Sequence, residues 1–302
     1  MAINRSQIRD FLLPGLAGVE GKYPQIPTQW SGIFTKKNSK MAFERVVEAR
    51  YTGLAQLKQE GGATVMDNAS GERFVYNALN TGLGLGFAIT REALDDNLYK
   101  DAFNPQVMGL VESFRQTKEI LGANLLNNCA TYNAQIGGDG VALASTAHPI
   151  DTGTYANTFT VQLDLNEASI ESALVTIRGY PDQAGLKTFS RGKKLVVPPT
   201  LLWTAERMLK SELRPDTSNN DVNPLVSAGA LPEGYQVMDF LTSNFAWFIT
   251  TDVKGLVYYD RIPFETDMQV DPTTGNLIVV GYERYTFTYI NPRAVFCALP
   301  TA

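Results

Sequence analysis

Residues 104–129 read NPQVMGLVESFRQTKEILGANLLNNC. Val107, Leu110, Val111, Phe114, Leu121 and Leu125 recur at i, i+3, i+4 and i+7, the spacing of one helical face. Asn104 can cap the helix, and Pro105 suits its first position, where a backbone N–H would have no partner anyway. Arg115, Lys118 and Glu119 fall largely off the apolar stripe. At a rise of about 1.5 Å per residue the segment is a rod of about 35 Å or more. Its stripe reads as a packing face, not a cofactor site.

The chain before this helix has few elements that could bury themselves. Pro14, Gly15, Pro24 and Pro27 break the first fifty residues. They read as an extended arm, and such an arm needs a partner surface to lie on. Residues 51–90 read as β. Ala55 to Glu60 alternate apolar and polar before Gly61-Gly62, and Ala63-Thr64-Val65-Met66 and Phe74-Val75-Tyr76 flank a polar turn. The spacing predicts a long hairpin without a core of its own, and an isolated hairpin is marginal in water. Gly82, Gly84 and Gly86 do not fit the dinucleotide pattern, because the third offset and the surrounding βαβ unit are missing. They mark a strand approached closely by other backbone.

After the helix, Asn166 is placed to cap a segment carrying Ile170, Ala173, Leu174 and Ile177, with Gly179 at its end. Leu195-Val196-Val197 reads as a buried strand stopped by Pro198-Pro199. A helix with Leu201, Leu202, Ala205, Met208 and Leu209 follows. The last third is mostly strands, and the runs 265–270 and 277–289 form a hairpin across Asp271-Pro272-Thr273-Thr274-Gly275-Asn276. Glu283, Arg284 and Tyr285 interrupt its alternation, which leaves one face wet. Strands and helices are segregated, so the class is α+β.

The 302 residues are 44% hydrophobic, enough for a sizeable core. Only 19% are charged, below the usual quarter, and fewer repulsive charges favour a chain that assembles. A net charge of −5 argues against a generic nucleic-acid binder. Cys129 and Cys297 are the only cysteines, which excludes a disulfide framework and fits a reducing compartment. Neither a signal peptide nor a run of about 20 apolar residues is present, so a soluble protein made in the cytoplasm is expected, with no membrane partner.

The chemistry is sparse. His148 is the only histidine, so a Ser-His-Asp site would have to use it, and no Gly-x-Ser-x-Gly elbow exists. One histidine and two distant cysteines do not make a zinc site. Asp139, Asp151 and Asp164 lack a calcium-loop spacing, and no phosphate-binding loop is present. The densest basic cluster, Arg191, Lys193 and Lys194, reads as the solvated start of a strand. No catalytic residue, cofactor or metal is expected.

In order along the chain stand Ser145-Thr146-Ala147-His148-Pro149, Lys193-Lys194-Leu195-Val196-Val197-Pro198-Pro199, Ala205-Glu206-Arg207-Met208-Leu209-Lys210-Ser211, Asn219-Asn220-Asp221-Val222-Asn223-Pro224-Leu225 and Leu231-Pro232-Glu233-Gly234-Tyr235. Ala246-Trp247-Phe248-Ile249-Thr250 and Gly281-Tyr282-Glu283-Arg284-Tyr285-Thr286-Phe287 before Asn291-Pro292-Arg293 complete the set. This ordered set resembles the major capsid proteins of tailed bacteriophages, with the Hong Kong 97-type capsid fold. The first fifty residues match poorly.

The resemblance implies an N-terminal arm over 1–48 and an extended loop, a β-hairpin, over 49–90. It further implies a peripheral domain with the long spine helix over 91–160, an axial domain over 161–262, and return strands over 263–302. The function implied is structural: hexamers and pentamers of the chain forming an icosahedral shell around double-stranded DNA, contacted non-specifically. Intersubunit contacts would come from the hairpin, at Leu57, Lys58, Glu60, Val65, Asp67, Glu72, Arg73 and Phe74. A separate scaffolding protein, a portal protein and a decoration or cement protein are the implied partners. Some members crosslink a loop lysine to an asparagine of another subunit. Lys58 stands in a suitable hairpin, while no sequence feature identifies the asparagine. An encapsulin-like nanocompartment shell is the alternative of the same fold, and a soluble hydrolase the more distant one.

Overall fold

The structure, a computed structural model, describes residues 27–50, 52–64, 66, 71–96, 100–134, 136, 138–213 and 222–301. Two four-stranded sheets organise the chain. The first has the order β1 (Thr35–Asn38), β10 (Leu256–Val270), β11 (Leu277–Tyr289), β4 (Thr81–Ile89). The second has the order β12 (Val295–Ala298), β9 (Trp247–Thr251), β7 (Gly192–Val197), β8 (Tyr235–Val237). The expected hairpin of β10 and β11 forms, closing at Val270 opposite Leu277. In its turn the Asp271 carboxylate accepts from the Thr273 amide at 2.9 Å and from the Thr273 and Thr274 hydroxyls, which holds its pKa down to about 2. On β4, a Cβ at Gly86 would stand 2.7 Å from the Val279 carbonyl, the close backbone approach that only glycine allows.

The helices are α1 (Arg91–Asp95), α2 (Lys100–Asn127), α3 (Glu167–Arg178), α4 (Leu202–Lys210) and α5 (Pro224–Ser227). Helix α2 is the long rod read from the sequence, but it begins at Lys100, not after an Asn104 cap. Pro105 therefore sits inside it, near the start, where its missing N–H removes a single ladder bond. Val107, Leu110, Val111 and Phe114 pack on Ile89, Met268, Leu277 and Val279 of the first sheet. The second half of the helix, Ala123, Leu125 and Leu126, enters a core that also holds Phe248 and Val295 of the second sheet. One rod thus ties both sheets together.

Two sequence expectations fail at this helix for one reason. Arg115, Lys118 and Glu119 are buried, and so is Glu283, on the hairpin face expected to be wet. Lys118 pairs with Glu283, and the Glu119 carboxylate accepts the backbone N–H groups of Gln29 and Trp30, both at 3.0 Å. Burial is tolerated because distant segments supply the partners.

Residues 27–38 also depart from a free arm. Trp30 and Phe34 are buried, with the Trp30 ring 4.4 Å from that of Tyr258 and the Phe34 ring 5.0 Å from that of Phe287. Gly122 leaves room on α2 for this docking, since a Cβ there would lie 3.2 Å from Trp30 Cβ. Beyond, β1 pairs in parallel with β10.

The expected hairpin changes partner. Strand β3 (Gly71–Leu79) pairs with β2 (Phe43–Arg50), not with residues 63–66. The nine-residue β3 finds an eight-residue partner with an inward Val46, and a long ladder outcompetes a four-residue one. Val46, Tyr76 and Ala78 pack on Val257 and Tyr259. The Tyr76 hydroxyl donates to the Tyr289 carbonyl and lies 3.0 Å from Thr288 Oγ1. Residues 52–64 carry no strand, and the alternation at 55–60 finds no ladder.

In the second sheet Leu195, Val196 and Val197 are fully buried, as expected. Ile170, Ala173 and Ile177 of α3 cover one face together with Ala205 and Met208 of α4. Asn166 caps α3, accepting from the Ser169 amide at 2.8 Å while Ser169 Oγ accepts from the Asn166 amide at 3.0 Å.

Candidate assembly surfaces

The β2–β3 hairpin is anchored by charge at the Arg50–Gly71 end of its ladder, next to the connecting loop. Asp151, in the turn between the short strands β5 (His148–Ile150) and β6 (Gly153–Tyr155), pairs with Arg50 and Arg73. Arg293 Nη1 lies 3.1 Å from Glu48 Oε1, and its guanidinium stands 4.4 Å over the Tyr155 ring. These pairs fix where the loop after Arg50 leaves the body.

Beyond that end of the ladder, residues 52–64 reach into solvent. Leu57 is fully exposed, Leu54 is 78% exposed and Met66 79%. Lys58 and Glu60 are exposed as well. Among the residues expected to make contacts, Leu57, Lys58 and Glu60 therefore share one projecting loop. Val65 and Asp67 lie outside the described residues. Glu72 is exposed on β3, 3.5 Å from Arg45 across the ladder. Arg73 turns inward to Asp151 and lies 4.9 Å over the half-buried Phe74 ring, so both are already engaged within the subunit. No sequence pattern links Asp151 to Arg50 and Arg73 or Glu48 to Arg293, because these partners are remote in the chain.

A second surface is the outward face of the first sheet. Val280 and Tyr282 are exposed there, opposite Gly86 and Gly84 on one side and Asp267 and Glu265 on the other. The result is an open groove of about 770 Å³ with an apolar floor and an acidic rim.

Among the described residues, no arrangement resembles a reaction centre. His148 is buried, with Nδ1 2.5 Å from Asp139 Oδ2 and Nε2 3.2 Å from the Leu143 carbonyl. Its ring stacks on Tyr155 at 5.0 Å, so both nitrogens and one face are taken up by packing. Lys193 and Lys194 both pair with Glu233, and Lys194 Nζ also donates to the Gly32 carbonyl at 2.8 Å. The two lysines of that basic cluster share one carboxylate, while Arg191 is exposed. Among the described residues no group of three or more His, Cys, Asp or Glu could hold a metal ion, and no helix is long and apolar enough to cross a membrane.

A family model described as phage capsid protein matches residues 77–298. Among solved structures, the capsid of an empty GTA particle is similar, at 12% identity and a TM-score of 0.58, covering 89% of this chain and 88% of that one. The mature capsid of bacteriophage PhiM1 is similar at 12% identity and a TM-score of 0.54, covering 91% and 89%. A virus-like particle from Pyrococcus furiosus is similar at 10% identity and a TM-score of 0.50, covering 95% and 98%. No curated protein matches the chain.

Proposed function

The chain belongs to the phage capsid protein family, and from that premise we propose how its surfaces build a shell. It is a major capsid protein with the Hong Kong 97-type α+β fold, and it self-associates into the virion capsid. In our reading it does so as hexamers and pentamers in an icosahedral shell around double-stranded DNA, which its acidic surface contacts only non-specifically. The encapsulin-like alternative is not favoured, because the family match is to phage capsid proteins. We assign the subunit no reaction: its single histidine is closed in by Asp139, Leu143 and Tyr155.

The observation that carries the assembly mechanism is the loop at 52–64, whose Leu54 and Leu57 project from an anchored hairpin with no core of their own. Two exposed leucines on one projecting loop are a surface awaiting a cover. We assign that cover to a neighbouring subunit, with Lys58, Glu60 and Glu72 at its polar rim. The division into arm (1–48), extended loop (49–90), peripheral domain (91–160), axial domain (161–262) and return strands (263–302) is part of the same reading. So are synthesis in the host cytoplasm and the scaffolding, portal and decoration partners.

Electron microscopy of the purified chain tests the proposal. Shells are expected from the intact protein. A variant lacking residues 53–64 should stay folded and soluble but form no stable shells. Normal shells from that variant would remove the loop from the assembly mechanism.

A further inference from the structure

Phe189 is the one non-glycine residue with positive φ among the described residues, at 55°. A bulky side chain in the left-handed region is strained, and such strain persists only where neighbours enforce it. The neighbours do so. Thr188 donates through its amide and its hydroxyl to the Tyr180 carbonyl, at 2.9 and 3.0 Å. Its hydroxyl also lies 2.7 Å from that of the buried Ser190. Arg191 and Asp252 then exchange two bonds, at 2.9 and 3.0 Å. The strain gains nothing inside the subunit, because the Phe189 ring is 83% exposed. Both sides of a pinned loop thus hold an aromatic ring out in water.

The tip lies beside Tyr180, just past the C-terminal end of α3. At the other end of that helix is an open cleft of about 300 Å³, walled by Leu165, Met208, Thr204, Glu167 and Arg207. The two features are separated by about the 18 Å length of a twelve-residue helix. Their charges are complementary. Exposed Lys187 and Arg191 flank the ring, whereas Glu167 stands in the cleft wall and the exposed Asp164 and Glu171 lie close to its residues along the chain. Met208 offers a thioether to a ring edge, and Arg207 a cation to a ring face.

We propose that Phe189 inserts into this cleft of a second copy of the chain, so that each subunit presents a knob at one end of α3 and a hole at the other. A knob and a hole on different patches make a heterologous contact, which closes into a ring when the rotation allows. This inference rests on the shell reading and adds to it a specific subunit-to-subunit contact at α3.

The test uses the full chain. Phe189→Gly relieves the backbone strain, so its unfolding midpoint should equal or exceed that of the unaltered subunit. Its assembly, followed by light scattering, should be at least tenfold slower. Assembly at the unaltered rate would overturn the proposal. In a second arm, Lys187→Cys with Asp164→Cys leaves the ring and the apolar walls in place. A short bis-maleimide should convert its shells to a ladder of covalent multimers, which the single variants should not give. Shells without a ladder would overturn the proposal while leaving the shell reading intact. An unaltered chain that never assembles would overturn the shell reading and this inference with it.

Discussion

Lys118 and Glu283 form an ion pair buried between α2 and the central strand β11, with side chains only 5% and 1% exposed. Lys118 Nζ also stands 4.8 Å from the Tyr285 ring and 5.4 Å from that of Tyr258. Burial depresses the lysine pKa, and the Glu283 charge works against that shift. The pair is therefore costly to break and cheap to replace as a unit. Glu283→Gln should lower subunit stability by about 3–5 kcal/mol, because it leaves a buried ammonium without its carboxylate. Lys118→Met with Glu283→Leu should fall within about 1–4 kcal/mol on the stabilising side of neutral. Urea unfolding of dissociated subunits measures both, and equal losses in the two variants would contradict the account.

Trp30 fastens residues 27–38 to the body through its ring and through its amide N–H, which donates to Glu119 beside that of Gln29. Trp30→Ala should cost about 3–5 kcal/mol, the usual range for emptying a buried aromatic site. It should also release β1 from β10. Limited proteolysis at Lys36 and Lys37 is then expected to accelerate in the variant, and unchanged cleavage would mean that β1 is held without the tryptophan.

Cys129 ends the long helix region and Cys297 lies on β12, yet the two thiols share one core and a hydrogen bond. Burial pushes the Cys297 thiol well above its ordinary value, and the Cys129 contact adds to that shift. A buried, protonated thiol is a poor nucleophile. Maleimide labelling of native protein should therefore modify neither cysteine, and labelling in denaturant should modify both. Native labelling at either position would show that this core opens.

The contrast between α3 and β3 shows what was legible in the sequence. The Asn166 cap, the apolar spacing of Ile170 to Ile177 and the Gly179 stop are all local, so the helix could be read residue by residue. The partner of Gly71–Leu79 could not, because strand pairing is settled by competition between distant segments, and Phe43–Arg50 won it. Lys118 and Glu119 fall off the apolar stripe and yet are buried, for a related reason. A polar side chain is buried only where a partner arrives, and theirs arrive from Glu283 and from residues 29 and 30. At the candidate contact site, the exposure of Leu57, Lys58 and Glu60 followed from a hairpin with too few apolar residues to bury. The inward turn of Arg73 depends on Asp151, which no pattern linked to it.

Four buried tyrosines set the alkaline limit of the subunit. Burial raises the pKa of Tyr76, Tyr155, Tyr180 and Tyr289 above the ordinary value of 10.0, as the largest cause in each case. A group whose folded pKa is raised binds its proton more tightly in the folded state. Its contribution is complete below the unfolded value of 10.0 and is lost as pH climbs toward the folded value. Lys118 acts oppositely, because its folded pKa is lowered and stability rises as pH climbs to its unfolded value of 10.5, but that gain is then exhausted. Above that point the tyrosines dominate, at about 1.4 kcal/mol per group per pH unit. Unfolding midpoints of dissociated subunits should thus hold up to about pH 10 and then fall steeply. Absorbance near 295 nm, where tyrosinate absorbs, should rise for these four residues together with the loss of structure and not before it. Tyrosinate formation at all four positions in a still-folded subunit would show that the hydroxyls of Tyr76 and its companions reach solvent.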